Sequence, residues 1–111
     1  LMLGAAGGPT IITTVLETIQ HVINNKMDIN AALNVPRYHM QWMPNVTYME
    51  PFCFSKDTLH ILKKMGYQFK LGISKNKKHW GQGAVILVDP KTNTIYGAND
   101  NRYPAGLAKG Y

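Results

Sequence analysis

The feature that most constrains this sequence is a run of small residues over positions 3–8, followed by Pro9 and a long apolar pattern. The run ends in Gly7 and Gly8, which can adopt positive φ angles and place no side chains over their own amides. Pro9 has a φ angle already close to helical values and lacks the amide hydrogen that a first-turn residue would leave unpaired. We therefore expect a turn over residues 3–8 and a helix that begins at Pro9.

The residues after Pro9 predict a helix over positions 9–25 with one wide apolar face. Apolar side chains recur there at the three- and four-residue spacing of a buried helix face: Ile11, Ile12, Val15, Leu16, Ile19, Val22 and Ile23. The first amides of a helix have no partners within it and carry partial positive charge, so they suit an anion or an oxyanion. A purely structural interpretation is also open, because glycine is common in tight turns before core helices.

Local signals predict the remaining elements. Asp28 is a good N-cap for a helix over residues 29–34, and Pro36 ends it. Ser55 caps another helix, which Gly66 terminates. Strands are predicted over residues 38–43, 46–50, 67–73, 84–88 and 94–98, with an irregular segment over 99–111. The continuous apolar run at 84–88 is typical of an interior strand. Together these elements predict an α+β fold with antiparallel strand pairing.

Length and composition set outer limits. The 111 residues have the size of one domain, with a formal charge of +6 and a single cysteine, Cys53, which cannot form an internal disulfide. No apolar run approaches the roughly 20 residues that span a bilayer, so we expect no membrane segment. Because the chain begins at Leu1 rather than at Met, we expect a processed or truncated piece whose targeting signal is out of view.

Several further segments, in order along the chain, carry a resemblance to a known family. They are residues 11–15 shortly after the glycine pair, 32–39, Gln41-Trp42, 62–67, 95–102 and Gly110-Tyr111. Over essentially its whole length the chain resembles the C-terminal part of the small subunit of gamma-glutamyltranspeptidases, which are also called gamma-glutamyltransferases or glutathione hydrolases. The resemblance implies that residues 1–111 form a single fragment of the αββα sandwich of N-terminal-nucleophile hydrolases, an antiparallel sheet covered by helices.

The resemblance also implies which catalytic groups lie in this sequence and which lie outside it. In the family the nucleophile is a threonine freed by self-cleavage of a proenzyme, and its own α-amine acts as the base. That threonine and the large subunit lie outside this sequence, and Thr10, Thr13 and Thr14 are internal. The family's glycine pair supplies the oxyanion hole through its backbone N–H groups, and the matching residues here are Gly7 and Gly8. We therefore expect this stretch by itself to be inactive toward γ-glutamyl-p-nitroanilide.

The implied substrates are glutathione or other γ-glutamyl compounds, with an amino acid, a peptide or water as acceptor. The implied protein partners are the rest of the small subunit and the large subunit, no cofactor is implied, and the location is periplasmic or extracellular. The sequence departs from the family at Pro9, where serine is common, and at Asn99 and Asn101, where serine and proline are common. The match is poorest over residues 79–83.

Alternative interpretations stay open. Lys70, Lys75, Lys77, Lys78 and His79 form a basic cluster beside Trp80, which suits either a solvated loop or a binding module for an acidic partner such as nucleic acid. The family pattern gives no reason to expect nucleic acid. A third possibility is a structural relic of the family without activity.

Three other groups of residues have simpler interpretations. The four histidines, His21, His39, His60 and His79, lack metal-ligand spacing. Asp100 and Arg102 are interpreted as a structural turn and ion pair. Gly81-Gln82-Gly83 is not a dinucleotide-binding fingerprint, because a third glycine does not follow at the required place.

Overall fold

The structure, a computed structural model, describes residues 1–72 and 80–109. In chain order its elements are β1 (Met2–Ala6), α1 (Thr10–Ile23), α2 (Ile29–Asn34), β2 (Tyr38–His39), β3 (Thr47–Met49), α3 (Lys56–Lys64), β4 (Phe69–Leu71), β5 (Gln82–Val88) and β6 (Ile95–Asn99). The chain divides into two compact units, one formed by Leu1–Val35 with Trp80–Tyr111 and the other by Pro36–His79. Lys70 of the predicted basic cluster lies in β4, whereas Lys75, Lys77, Lys78 and His79 lie outside the described residues.

The first unit is built on a three-stranded antiparallel sheet in the order β1-β5-β6. The continuous apolar run therefore lies in the central strand, as predicted. Strand β1 is a correction, because the small residues before Gly7 were expected to form a turn. They pair with β5 from Met2 opposite Ile86 to Ala6 opposite Gln82. Glycine and alanine have weak strand preferences, so it is the ladder to β5 that makes this segment a strand.

Helix α1 begins and ends within two residues of its predicted limits, but the predicted buried face is wrong in part. The side of the helix that is buried carries Thr10, Thr14, Glu17 and Thr18. Ile12, Leu16 and Ile23 are instead 74%, 50% and 53% exposed. Threonine suits a buried helix face when its hydroxyl bonds to a carbonyl one turn earlier, as Thr18 Oγ1 does to Thr14 O at 2.8 Å.

The core of the first unit lies between α2 and the sheet. Ile29 and Leu33 of α2 pack with Val85 and Ala98 of the two hairpin strands. Helix α2 has the predicted limits, and the Asp28 side chain accepts hydrogen bonds from Asn30 N at 3.1 Å and Ala31 N at 2.9 Å. The cap prediction is confirmed because capping depends on residues adjacent in sequence.

The second unit contains the sheet β2-β3-β4 and helix α3. The β2–β3 hairpin is antiparallel, as predicted, but β3 and β4 are parallel. This pair corrects the expectation of purely antiparallel pairing. Helix α3 lies in the connection between the two strands, and such a crossover returns the chain to the same end of the sheet.

Local signals at the ends of α3 are confirmed, whereas the strands are shorter than predicted. Ser55 Oγ accepts from Thr58 N at 3.1 Å, and Gly66 after the last turn has a φ of +97°. The strand predicted at 67–73 is observed as Phe69–Leu71, and its last predicted residue lies outside the described part of the chain.

Among the described residues, no helix has the length and apolar content needed to cross a membrane.

Candidate active site at the Gly7-Gly8 turn

The glycine pair lies in a tight connection between a strand and a helix. Strand β1 ends at Ala6 and α1 begins at Thr10, so only three residues connect them. Gly7 has a φ of +143° and Gly8 a φ of +66°, both in the region that favours glycine. Pro9 has a φ of −59° and occupies the N-cap position without a side-chain cap hydrogen bond. The two glycines are therefore required by the backbone path of this turn.

A second glycine segment packs directly against the turn. A Cβ atom built on Gly7 would lie 2.5 Å from Gly81 Cα and 2.9 Å from Thr10 Oγ1. A Cβ atom built on Gly81 would lie 2.9 Å from Ala6 O and 3.0 Å from Thr10 Oγ1. The backbone on both sides is too close for any side chain. The sequence interpretation of Gly81 and Gly83, that they are not a dinucleotide-binding motif, did not include this role for Gly81. The available signal was a glycine just before a strand, which marks close backbone approach.

The carbonyl groups of the turn have partners on the helix side. Thr10 Oγ1 donates to Gly7 O at 2.9 Å, and Ile11 N donates to Gly8 O at 3.1 Å. Within residues 1–72 and 80–109, the amide nitrogens of Gly7 and Gly8 donate no hydrogen bond. Both glycines are exposed. Two adjacent amide donors at the N-terminus of a 14-residue helix are thus accessible to a ligand.

Such an arrangement suits negative charge on an oxygen atom. Unpaired amides at a helix N-terminus point toward the ligand, and the helix dipole favours an anion there. In acyl transfer, negative charge develops on the carbonyl oxygen as the tetrahedral intermediate forms, and fixed N–H donors stabilise it. The described residues of the turn supply donors but no nucleophile, since the side chain of Thr10 is occupied by Gly7 O.

The turn at Asp100 and Arg102 holds β5 and α2 together. Asp100 is completely buried and accepts hydrogen bonds from Gly83 N and Arg102 N, each at 3.1 Å. Its ion pair with Arg102 is also 3.1 Å long. Arg102 Nη2 donates to Val35 O at 2.8 Å, where a cation suits the carbonyls at a helix C-terminus. The predicted structural turn and ion pair are confirmed.

The two asparagines that depart from the family pattern take part in the same turn. Asn99 Nδ2 donates to Asp100 O at 3.0 Å, and Asn101 N donates to Asn34 Oδ1 at 2.9 Å. Asn34, the last residue of α2, thereby links the helix to this turn. Asn99 thus forms a hydrogen bond to the next residue, and the backbone of Asn101 bonds to the end of α2.

Two histidines of the described segments have side-chain contacts with residues close to them in sequence. Nδ1 of His21 lies 3.0 Å from Asn25 Nδ2 at the end of α1, and burial lowers the pKa of His21. Nε2 of His39 lies 3.0 Å from Gln41 Oε1. Among the described residues, no group of three or more histidine, cysteine, aspartate or glutamate side chains is arranged to hold a metal ion.

Comparisons with known proteins agree on one family. The family model described as gamma-glutamyltranspeptidase matches residues 1–110. The chain is 38% identical to the glutathione hydrolase proenzyme of Pseudomonas sp. (strain A14), with all of this chain and 20% of the relative covered. It is 37% identical to the glutathione hydrolase proenzyme of Escherichia coli (strain K12), with all of this chain and 18% of the relative covered. The chain thus spans about a fifth of the length of these relatives.

A solved structure gives the same result for the fold. The crystal structure of an acivicin-inhibited gamma-glutamyltranspeptidase superimposes with a TM-score of 0.80 at 41% identity, covering 91% of this chain and 52% of the other. The fold is therefore a portion of the αββα N-terminal-nucleophile hydrolase fold, with helices and two sheets in which all strand pairs described except β3–β4 are antiparallel. The turn, the sheet behind it and these similarities together mean that the chain belongs to the gamma-glutamyltranspeptidase family.

Proposed function

We propose that this chain is the C-terminal part of the small subunit of a gamma-glutamyltransferase or glutathione hydrolase. The complete protein transfers or hydrolyses the γ-glutamyl group of glutathione and related compounds through a threonyl acyl-enzyme. Gly7 and Gly8 supply the backbone donors of the oxyanion hole. The threonine and the large subunit come from parts of the protein outside these 111 residues.

The observation that carries this proposal is the pair of exposed amides at the Gly7-Gly8 turn, neither of which donates a hydrogen bond within the described residues. In acylation the threonine hydroxyl attacks the γ-carbonyl carbon while its α-amine takes the hydroxyl proton. The carbonyl oxygen becomes an oxyanion, to which the two N–H groups donate. When the intermediate collapses, the C–N bond breaks, the amine leaves with a proton, and the acyl-enzyme remains for attack by water or by an acceptor amine.

The proposed partners and location follow from the family. The chain spans about a fifth of its curated relatives, whose names describe proenzymes, so we propose that self-cleavage upstream of this segment produces the active protein. Substrates are γ-glutamyl compounds, acceptors are amino acids, peptides or water, and the location is periplasmic or extracellular. Nucleic-acid binding by the basic cluster stays a prediction, because Lys75, Lys77, Lys78 and His79 lie outside the described residues.

The test is Gly8→Val in the full-length protein, assayed with γ-glutamyl-p-nitroanilide. Valine at a φ of +66° twists the turn and misdirects a donor, so we expect kcat to fall about 10²–10³-fold, the usual effect of losing one oxyanion donor, with a much smaller change in KM. The matched control is Gly66→Val. Gly66 also has a positive φ, +97°, and a Cβ atom there would meet no described residue within 4 Å, but Gly66 terminates α3 in the other unit.

The control separates strain from catalysis. Gly66→Val should lower the apparent Tm and leave kcat close to that of the unmodified protein. Equal changes in kcat and KM for Gly8→Val, or equal losses of kcat in the two variants, would contradict an oxyanion role for the turn.

A further inference from the structure

We propose that the Thr10 hydroxyl is a positioning group that fixes the orientation of the Gly7–Gly8 peptide and thereby aims the Gly8 N–H at the reacting oxygen. This inference rests on the proposed oxyanion role of the turn. Thr10 itself does not touch the substrate; it acts through the peptide unit to which it is bonded.

The Gly7–Gly8 peptide unit has a defined orientation. In a planar trans peptide the C=O of one residue and the N–H of the next point in opposite directions. Thr10 Oγ1 donates to Gly7 O at 2.9 Å from the buried side of α1, where Thr10 is 4% exposed. Because the Gly7 carbonyl points toward the buried hydroxyl, the Gly8 N–H of the same unit points away from it.

The preceding peptide is fixed by a different contact. The Ala6 carbonyl oxygen faces Gly81 so closely that a Cβ atom on Gly81 would lie 2.9 Å from it. The Gly7 N–H belongs to that peptide and therefore points away from Gly81. Strand pairing of Ala6 with Gln82 holds this unit in the sheet. Backbone packing thus orients the Gly7 N–H, whereas the orientation of the Gly8 N–H depends on the side chain of Thr10.

The Gly7–Gly8 peptide is the one whose orientation a side-chain hydrogen bond must hold. Its rotation changes ψ of Gly7 and φ of Gly8, and glycine permits both signs of φ at little cost. A flip would aim the Gly7 carbonyl, instead of the Gly8 N–H, at the developing oxyanion. Pro9, the N-cap residue of α1, makes no side-chain cap hydrogen bond. The side chain that opposes the flip is therefore that of Thr10, whose hydroxyl bonds to the Gly7 carbonyl.

The test compares Thr10→Val with Thr10→Ser in the full-length protein. Valine keeps the branched shape but removes the donor, which leaves the Gly7 carbonyl without a partner on the buried side and favours its rotation toward water. A net hydrogen bond shifts such an equilibrium by roughly 2- to 12-fold, which is the upper limit for the loss of the active orientation. We therefore expect kcat for γ-glutamyl-p-nitroanilide to fall a few-fold, up to about tenfold, with KM little changed. Thr10→Ser retains the hydroxyl and should keep most of the activity.

The matched control is Thr18→Val in the same helix. Thr18 is more deeply buried, at 1% exposure, and its hydroxyl donates to Thr14 O. A merely structural role predicts similar losses of stability and of kcat for Thr10→Val and Thr18→Val. A positioning role predicts that only the change at Thr10 lowers kcat when both variants are assayed below their apparent Tm. If Thr10→Val fails to fold, Thr10→Ala removes the same donor without adding an apolar branch and is assayed in its place.

The outcomes distinguish this inference from the function on which it rests. If Gly8→Val lowers kcat but Thr10→Val and Thr10→Ala have the same kcat as Thr18→Val, the positioning role of Thr10 is wrong and the oxyanion role of the turn stands. If Thr10→Ser loses as much activity as Thr10→Val, the hydroxyl does not orient the Gly7–Gly8 peptide, and the positioning role of Thr10 is again wrong. If Gly8→Val leaves kcat unchanged, the proposed function itself fails.

Discussion

Replacing Gly7 by alanine is the most direct perturbation of the turn. The added methyl carbon would lie 2.5 Å from Gly81 Cα, whereas carbon atoms in contact are about 3.5–4.0 Å apart. The overlap is therefore about 1 Å, and it is with backbone, which cannot rotate away as a side chain can. The φ of +143° adds a conformational cost of about 1–3 kcal/mol for a residue with a side chain.

The overlap can be relieved only if the end of β1 or the start of β5 moves. A shift of about 1 Å in a catalytic group lowers the rate by about 10²-fold. We therefore expect Gly7→Ala in the full-length protein to lower kcat/KM by about 10²-fold or more and to lower the apparent Tm. The assays are steady-state kinetics with γ-glutamyl-p-nitroanilide and thermal unfolding of the same preparation.

The matched control is Gly4→Ala in the same strand. A Cβ atom on Gly4 would have no heavy atom of the described residues within 4 Å, and the φ of Gly4 is not positive. Alanine there restricts the unfolded chain, so stability should stay equal or rise by about 0.4–1 kcal/mol with unchanged kinetics. Retention of both kcat/KM and Tm in Gly7→Ala would refute the close approach to Gly81, and a lower Tm with unchanged kcat would refute the catalytic role of the turn.

Two further predictions concern residues outside the turn. Asp100→Ala removes the carboxylate that accepts from Gly83 N and pairs with Arg102. Denaturant unfolding should therefore give a loss of about 3 kcal/mol, as for a broken buried ion pair. A loss below about 1 kcal/mol, typical of exposed pairs, would contradict this role. Burial lowers the pKa of His21 from the model-compound value of 6.5. The neutral imidazole therefore contributes fully to the stability of the fold above about pH 6.5, and this stability is lost as the pH falls through the lower pKa of the folded state. The apparent Tm of the unmodified protein should therefore fall relative to that of His21→Gln below about pH 6.5, and parallel profiles would contradict the shift.

Elements with local start and stop signals were predictable from the sequence. The limits of α2 follow from Asp28 and Pro36, and those of α3 from Ser55 and Gly66, because capping groups lie within a few residues of the backbone they satisfy. The position of β5 as the central strand follows from its unbroken apolar run. The glycine pair was recognisable because positive φ angles at a turn are a local property of the backbone.

Features that depend on distant contacts were not predictable in this way. The small residues of β1 form a strand only because β5, some 80 positions later, supplies the ladder. The parallel pairing of β3 with β4 depends on the path of the crossover through α3. The face of α1 that is buried carries threonines rather than isoleucines, since periodicity identifies the faces of a helix but not the surface against which each one packs.

The sequence by itself determined the glycine turn, the helix that follows it and the family to which both belong, because these depend on residues that are adjacent along the chain or matched in order. Only the tertiary structure decided what surrounds the turn. It brought Gly81 against Gly7 and placed the Thr10 hydroxyl on the buried side, where it bonds to the Gly7 carbonyl. The direction of an N–H group is set by whatever holds the carbonyl of its own peptide, and here those contacts come from the folded chain.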